Sequence, residues 1–234
     1  AAIGGGGGGA AAVAATAATT STFAVSFSTV AGPVTAALNY KIYDAQGNVV
    51  ATGVTDATGK VTVNLASTYA GQALLIKITD ANGTAADYRD ETTDGVGTGT
   101  SLGGTALRAA FVATGSSQSI AVTPLTDLAV QKMGITTDAA TASVSTVNST
   151  NASVGVAFGV ADILGAVTTV LSADYNEGDG LSAAEIYAQV LAKFSGQDQA
   201  SGSVGATVTA FLAALNIVDP VARQAALDSL LTMG

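Results

Sequence analysis

Residues 40–65 read YKIYDAQGNVVATGVTDATGKVTVNL, and this stretch predicts the fold of the first half of the chain. Apolar and polar residues alternate in it, which is typical of β-strands with one buried face. The tetrad Asp-Ala-x-Gly separates the alternating runs at Asp44–Gly47 and Asp56–Gly59, and it recurs at Asp80–Gly83. The Asp side chain can accept hydrogen bonds from turn amides, and Gly tolerates the left-handed conformation that follows. The stretch therefore predicts antiparallel strands joined by tight turns.

Similar alternating runs lie on both sides of this stretch. Short strands at such spacing favour an antiparallel β-sandwich of about seven or eight strands, which we assign to residues 22–123. The runs that predict these strands are TFAVSFSTV (22–30), VTAALNYKIYD (34–44), NVVATGVT (48–55), KVTVNLA (60–66), ALLIKITD (73–80), ALRAAFVA (106–113) and QSIAVT (118–123).

The periodicity changes at Thr123. Thr is a good N-cap and Pro124 is favoured in the first helical turn, so we expect a helix to begin here. Apolar residues then recur at helical spacing in three stretches, 186–194, 204–215 and 221–231. The sequence therefore predicts an α+β, mainly β chain with a helical domain over residues 124–234.

The first 21 residues, AAIGGGGGGAAAVAATAATTS, show neither the alternation typical of strands nor the apolar spacing typical of helices. Glycines have the largest backbone entropy to lose on folding and no side chain to bury. We therefore expect residues 1–21 to form a flexible Gly/Ala-rich leader. Because the stretch has neither an initial Met nor a targeting pattern, we interpret the chain as a mature exported product.

The composition argues against several classes of function. The chain has no Cys, His or Trp, so it cannot build Ser-His-Asp or Cys-His catalytic groups or the usual zinc sites. We therefore expect a protein that is not an enzyme. Its net charge of −9 argues against nucleic acid and anionic membrane surfaces as partners. Charged residues make up 11%, against roughly 25% in ordinary domains, which fits a neutral extracellular surface or a surface buried against other subunits.

The longest apolar run, Val154–Leu171, is about as long as a membrane span. However, Asp162 lies in its middle and three glycines dilute it. The run therefore favours a pair of packed helices over a transmembrane helix.

The run from Lys41 to Thr79 resembles carboxypeptidase-regulatory-like and Cna-B-like modules, which are transthyretin-like β-sandwiches of secreted bacterial proteins. The resemblance is carried by residues 40–65, YKIYDAQGNVVATGVTDATGKVTVNL, which contain two Asp-Ala-x-Gly turns. The later segments VTPLTDLA, FGVADILG and YAQVLAKFSGQDQASGS look like the helical tail that accompanies such modules in some bacterial surface proteins. The resemblance implies an extracellular structural role without catalysis.

Two acidic stretches are candidates for Ca²⁺ binding. DYNEGDGLSAAE (174–185) offers oxygen ligands at Asp174, Asn176, Asp179 and Glu185, at a length similar to that of an EF-hand loop. However, Ser182 and Glu185 also form a capping-box pattern, so we favour a capped helix after an acidic loop. In DYRDETTDG (87–95), we favour a solvated acidic loop, partly neutralised by its arginine, over a calcium loop.

The strand that follows the leader has two interpretations. Phe23, Val25 and Phe27 lie on one of its faces, and this face can pack within the chain's own sheet or complete the sheet of a neighbouring subunit. Strand donation would produce a head-to-tail homopolymer. We therefore hypothesise a secreted bacterial surface protein that assembles into an extracellular filament. The alternative is a monomeric cell-surface adhesin or glycan-binding module stabilised by Ca²⁺.

Overall fold

The computed structural model describes residues 21–83, 85–91, 99–172, 175 and 180–232. This part of the chain contains nine strands followed by five helices. The strands are β1 (Thr22–Thr29), β2 (Asn39–Tyr43), β3 (Val49–Val54), β4 (Lys60–Ala66), β5 (Ala73–Thr79), β6 (Tyr88–Arg89), β7 (Gly99–Thr100), β8 (Leu107–Val112) and β9 (Gln118–Val122). The helices are α1 (Pro124–Lys132), α2 (Val144–Phe158), α3 (Ala183–Ser201), α4 (Val204–Leu215) and α5 (Pro220–Leu231).

The strands form two larger sheets and one small one. The first sheet has the order β4-β1-β9, the second has the order β3-β2-β5-β8, and β6 pairs with β7. All pairs are antiparallel except β1 with β9. The prediction of a purely antiparallel arrangement is therefore wrong for this pair. The reason is that β1 and β9 are the first and last strands, and no tight turn constrains their relative direction.

All seven strands expected from the alternating runs are present, while β6 and β7 lie where a loop was expected. The α+β class is confirmed, with the helices at the C-terminal end. The expectation of a mainly β chain is wrong, because helices of 9, 15, 19, 12 and 12 residues together outnumber strands of two to eight residues.

The Asp-Ala-x-Gly tetrads form the predicted turns. The Oδ1 atom of Asp44 accepts hydrogen bonds from the backbone amides of Gln46 and Asn48, at 2.9 and 2.8 Å. Asp56 accepts bonds from the amides of Thr58 and Lys60 in the second turn. In the third turn, Asp80 accepts bonds from the amides of Asn82 and Gly83. Each tetrad ends in a glycine with a φ between 74° and 81°, which explains why glycine is needed there.

One continuous core joins the strands to the helices. The inward side chains of β1 pack in this core, and the ring of Phe27 contacts that of Tyr40 on the other large sheet, with centroids 5.1 Å apart. The rings of Phe158, Phe194 and Phe211, from α2, α3 and α4, pack against one another at the helical end of the same core. Apolar burial stabilises such a core by about 25 cal/mol per Å².

The first helix begins where the sequence predicts it. The Thr123 side chain caps α1, and Pro124 occupies its first turn. The expected domain boundary between residues 123 and 124 coincides with the passage from β9 to α1. That the two regions are separate domains stays a prediction.

The long apolar run is organised differently from the expected pair of helices. Helix α2 ends at Phe158 with Gly159 in the left-handed conformation, and residues 160–172 form turns, bends and irregular segments. Within the described part of the chain, no helix has the length and apolarity that a membrane crossing requires.

Candidate assembly strand and buried acidic groups

The candidate assembly strand, β1, is the central strand of the first sheet. It pairs with β4 on one side and with β9 on the other, and Phe23, Val25 and Phe27 are buried on its inner face. On its outer face, the hydroxyl groups of Ser26 and Thr62 lie 2.7 Å apart. In this structure β1 therefore occupies a position in its own chain's sheet. Whether a neighbour's β1 can take the same position stays a prediction.

The connection from β1 to β2 is held tightly in place. The Val30 amide donates to the Val122 carbonyl at 2.9 Å, and the Thr35 amide donates to the Asp87 carbonyl at 2.8 Å. The Pro33 carbonyl accepts a 2.9 Å bond from the amide of Arg89. The Val30 bond and the ladders of β1 with β4 and β9 must break if β1 is to leave its own subunit, so any strand exchange has to overcome an energy barrier.

The candidate calcium loop can be tested only in part. Asp174, Asn176 and Asp179 lie outside the described residues. The Glu185 carboxylate accepts a 2.8 Å hydrogen bond from the Ser182 amide, while the Ser182 hydroxyl accepts a 3.3 Å bond from the Glu185 amide. The predicted capping box at the start of α3 is therefore confirmed.

The acidic stretch from residue 87 to residue 91 is buried, so the interpretation of these residues as a solvated loop is wrong. Asp87, Asp90 and Glu91 are all less than 5% exposed. Asp87 accepts bonds from the Leu102 amide and the Ser101 hydroxyl, at 2.7 and 3.2 Å. Hydrogen bonds from neighbouring segments of the fold offset part of the cost of burying these carboxylates.

The other two buried carboxylates bond in the same way. Asp90 accepts a 2.8 Å bond from the Thr100 hydroxyl, and Glu91 accepts a 3.3 Å bond from the Leu171 amide. The expected neutralising residue, Arg89, is exposed and forms no salt bridge within the described part of the chain. Asp94, the fourth acid of the stretch, lies outside the described residues.

The structure adds an acidic residue that the sequence analysis missed. Asp198 on α3 is 4% exposed and lies close to the Tyr88 hydroxyl and to Asp90. Burial, together with the nearby charge of Asp90, raises the pKa of Asp198 to about 7. A sequence signal was available, because Asp198 continues the buried helical spacing of Tyr187, Leu191 and Phe194.

Two further groups in this region have raised pKa values. Burial raises the pKa of Glu91 to about 8, although its bond from the Leu171 amide opposes the shift. Burial and the charges of Asp198 and Asp90 raise the pKa of the Tyr88 hydroxyl. Glu91 is therefore mostly protonated at neutral pH, and Asp198 is about half protonated. Among the residues that the structure describes, no three acidic side chains converge closely enough to hold a metal ion.

Comparison with protein-family models and with curated proteins found no match. The resemblance of residues 41–79 to Cna-B-like modules therefore stays a prediction.

Proposed function

We propose that this chain is a secreted bacterial structural protein that assembles head to tail into an extracellular filament by exchanging β1 between subunits. The observation that carries the proposal is the position of β1, which is the first described element and the strand that joins β4 to β9. The proposal assigns no catalytic activity to the chain, which has neither His nor Cys.

The proposal treats the two larger sheets as the halves of a β-sandwich. Side chains from both sheets share one buried cluster, and the contact between Phe27 and Tyr40 bridges the two sheets. In such a sandwich, β1 supplies a complete row of core side chains. A subunit that loses its own β1 therefore needs another strand of the same pattern.

A second copy of the chain supplies such a strand at little thermodynamic cost. An exchanged β1 would form the same ladders with β4 and β9 and bury the same three apolar side chains. Because the donor strand and the acceptor groove are different surfaces, each subunit can donate to one neighbour and accept from another. This arrangement produces an open chain of subunits.

The low charge of the chain also supports the proposal. Surfaces buried between subunits are depleted in charged residues, and only 11% of this chain is charged. The hydrogen bonds that hold residues 30–35 predict slow exchange, and therefore assembly that depends strongly on temperature and concentration.

The experiment uses the absence of native cysteine. Single variants Ser26→Cys and Thr62→Cys are mixed, assembled at high concentration and oxidised. If β1 is exchanged, the thiol introduced on β1 of one copy faces the thiol introduced on β4 of another. Crosslinked heterodimers then appear on a non-reducing gel, while electron microscopy shows filaments.

The matched control is a mixture of Lys41→Cys and Thr52→Cys, which pair directly between β2 and β3. This pair stays within one subunit during β1 exchange, so its mixture measures random crosslinking. Equal heterodimer yields from the two mixtures, or compact monomers under all assembly conditions, would contradict the proposal.

A further inference from the structure

A polar pocket of about 400 Å³ lies on the second large sheet, away from β1. Strands β2, β3 and β5 form its floor, and the loop between α1 and α2 contributes one acid to its wall. Its polar lining includes Asn39, Lys41, Tyr43, Thr52, Lys77, Thr79 and Asp138.

Two lysines of this pocket are direct neighbours. Lys41 on β2 pairs with Lys77 on β5 in the antiparallel register, so their side chains leave the same face of the sheet. Like charges directly opposite each other destabilise a sheet. Two of the 8 basic residues of the chain are therefore placed together here.

Asp138 neutralises one of the two lysines. The Lys77 Nζ atom lies 2.8 and 2.9 Å from the two carboxylate oxygens of Asp138, and the Tyr43 hydroxyl donates to the same carboxylate at 3.2 Å. The hydrogen bond from Lys77 lowers the pKa of Asp138, and the charges of Lys77 and Lys41 act in the same direction. Asp138 is therefore ionised at neutral pH.

The second lysine keeps its positive charge available. Lys41 is exposed and forms no salt bridge within the described part of the chain. Two ammonium groups and one carboxylate give the pocket one net positive charge in a chain whose net charge is −9. The pocket is thus a local electropositive site that is complementary to a singly charged anion.

The rest of the lining suits hydroxyl groups. The Asn39 amide nitrogen donates to the Asp80 carbonyl and the Thr52 hydroxyl donates to the Tyr40 carbonyl, so their oxygens remain able to accept hydrogen bonds. Thr79 adds a further hydroxyl at the edge of the pocket. The volume lies within the usual range for small-molecule sites, roughly 300–1,000 Å³.

We infer that this pocket binds a small sugar acid, whose carboxylate contacts Lys41 while its hydroxyl groups contact Asn39, Thr52 and Thr79. The inference does not depend on filament assembly, because the pocket does not involve β1. An exposed site whose charge comes from a single ammonium group binds weakly, since water and salt screen the charge.

The test titrates ¹⁵N-labelled full-length protein with glucuronate, and separately with glucose and acetate. Glucose has the hydroxyl groups and acetate has the carboxylate, so each represents half of the proposed ligand. We expect glucuronate to shift the amide signals of β2, β3 and β5 saturably, and to bind more tightly than glucose or acetate. Acetate or glucose binding as tightly as glucuronate would overturn the inference, as would the absence of saturable binding.

Lys41→Gln is the decisive variant. We expect it to weaken glucuronate binding by roughly two- to fivefold, because an exposed ion pair with the carboxylate is lost. The matched control is Lys60→Gln on β4 of the other sheet, which should bind like the wild type. Because Lys41→Gln removes a repulsion, its melting temperature should be unchanged or higher. A lower melting temperature with unchanged binding would mean that Lys41 is structural, and would also overturn the inference.

Discussion

The side-chain amide of Asn151 on α2 donates a 2.9 Å hydrogen bond to the backbone carbonyl of Ala110 on β8. Strand β8 is an edge of the second large sheet, so no described strand pairs with it on its outer side. A helix thus satisfies a backbone group that would otherwise be available to another chain. By contrast, β3, at the opposite edge, carries no charged residue, and Val49 and Val54 are about half exposed.

Replacing Asn151 should therefore destabilise the fold measurably. We expect Asn151→Ala to lower the free energy of unfolding by about 1–3 kcal/mol, because it leaves a buried acceptor without its donor. Urea unfolding followed by circular dichroism measures this change. Asn148→Ala, on the exposed side of the same helix, is the control and should change stability by less than about 0.5 kcal/mol. Equal effects of the two variants would contradict the role of the Asn151 bond.

Stability should fall as the pH rises from about 5 to about 8. The folded-state pKa values of Glu91 and Asp198 are raised to about 8 and about 7, above the ordinary values of 4.5 and 3.8. Between the ordinary and the raised pKa values, the native state binds protons that the unfolded state has released. The free energy of unfolding therefore decreases across this window and levels off above about pH 8.

Neutral substitutions test the origin of this pH dependence. Glu91→Gln and Asp198→Asn keep the shape of each side chain but replace the carboxyl group with an amide that cannot ionise. We expect each variant to flatten the decline between pH 5 and 8, and to be more stable than the wild type at pH 8. The measurement is urea unfolding at several pH values. An unchanged slope in both variants would assign the pH dependence to other groups.

The buried ion pair between Arg108 and Asp127 should be sensitive to the loss of either partner. The Arg108 Nε atom lies 2.6 Å from an oxygen of Asp127, whose side chain is 3% exposed. Burial raises the pKa of Asp127, and the charge of Arg108 opposes the shift. We expect Arg108→Met to cost about 3–5 kcal/mol, because it leaves an uncompensated buried charge.

The double variant separates this effect from the loss of packing. Arg108→Met with Asp127→Leu removes both charges, so it should be more stable than Arg108→Met alone. Denaturant unfolding of the three proteins gives the comparison. If the double variant is no more stable than Arg108→Met alone, the uncompensated charge of Asp127 is not the cause of the loss.

Gly32 should tolerate no side chain, because a Cβ atom built there overlaps the carbonyl oxygen of Arg89. Its φ of +142° is also a conformation that favours glycine. We expect Gly32→Ala to be more destabilising than Gly83→Ala, which shares a positive φ but has free space around its Cβ position. Thermal unfolding of the two variants gives the comparison, and equal melting temperatures would exclude the overlap as the cause.

Much of the β region could be predicted from the sequence because its signals are local. Each Asp-Ala-x-Gly turn satisfies its own amides, and the alternation in β1 directly separates its buried side chains from Ser26 and its other partly exposed residues. The start of α1 was predictable for the same reason, since Thr123 caps the helix within three residues. These features depend on residues that are close together in the sequence, and not on contacts between distant segments of the chain.

The contacts of the buried acids could not be predicted, because their partners are distant in sequence. Glu91 bonds to Leu171, so nothing in its local pattern distinguishes it from a solvated acid. The helical spacing marks Asp198 as a buried position, but it does not show that Asp198 lies near Tyr88. The lysine pocket was missed for a similar reason. Asp138 reaches Lys77 from a loop that follows α1, 61 residues later in the chain.

The parallel pairing of β1 with β9 also sets an order of folding events. Val25 pairs with Gln118, roughly 90 residues later, whereas it pairs with Val63 of β4 across a much shorter stretch of chain. Because closing the longer loop costs more entropy, we expect β1 to pair with β4 first. Until β9 pairs, the other side of β1 offers an unpaired backbone to any chain nearby. A neighbouring molecule at high local concentration would then compete with the chain's own β9 for the same strand. The concentration at which the chains fold would therefore influence whether β1 ends in its own subunit or in another.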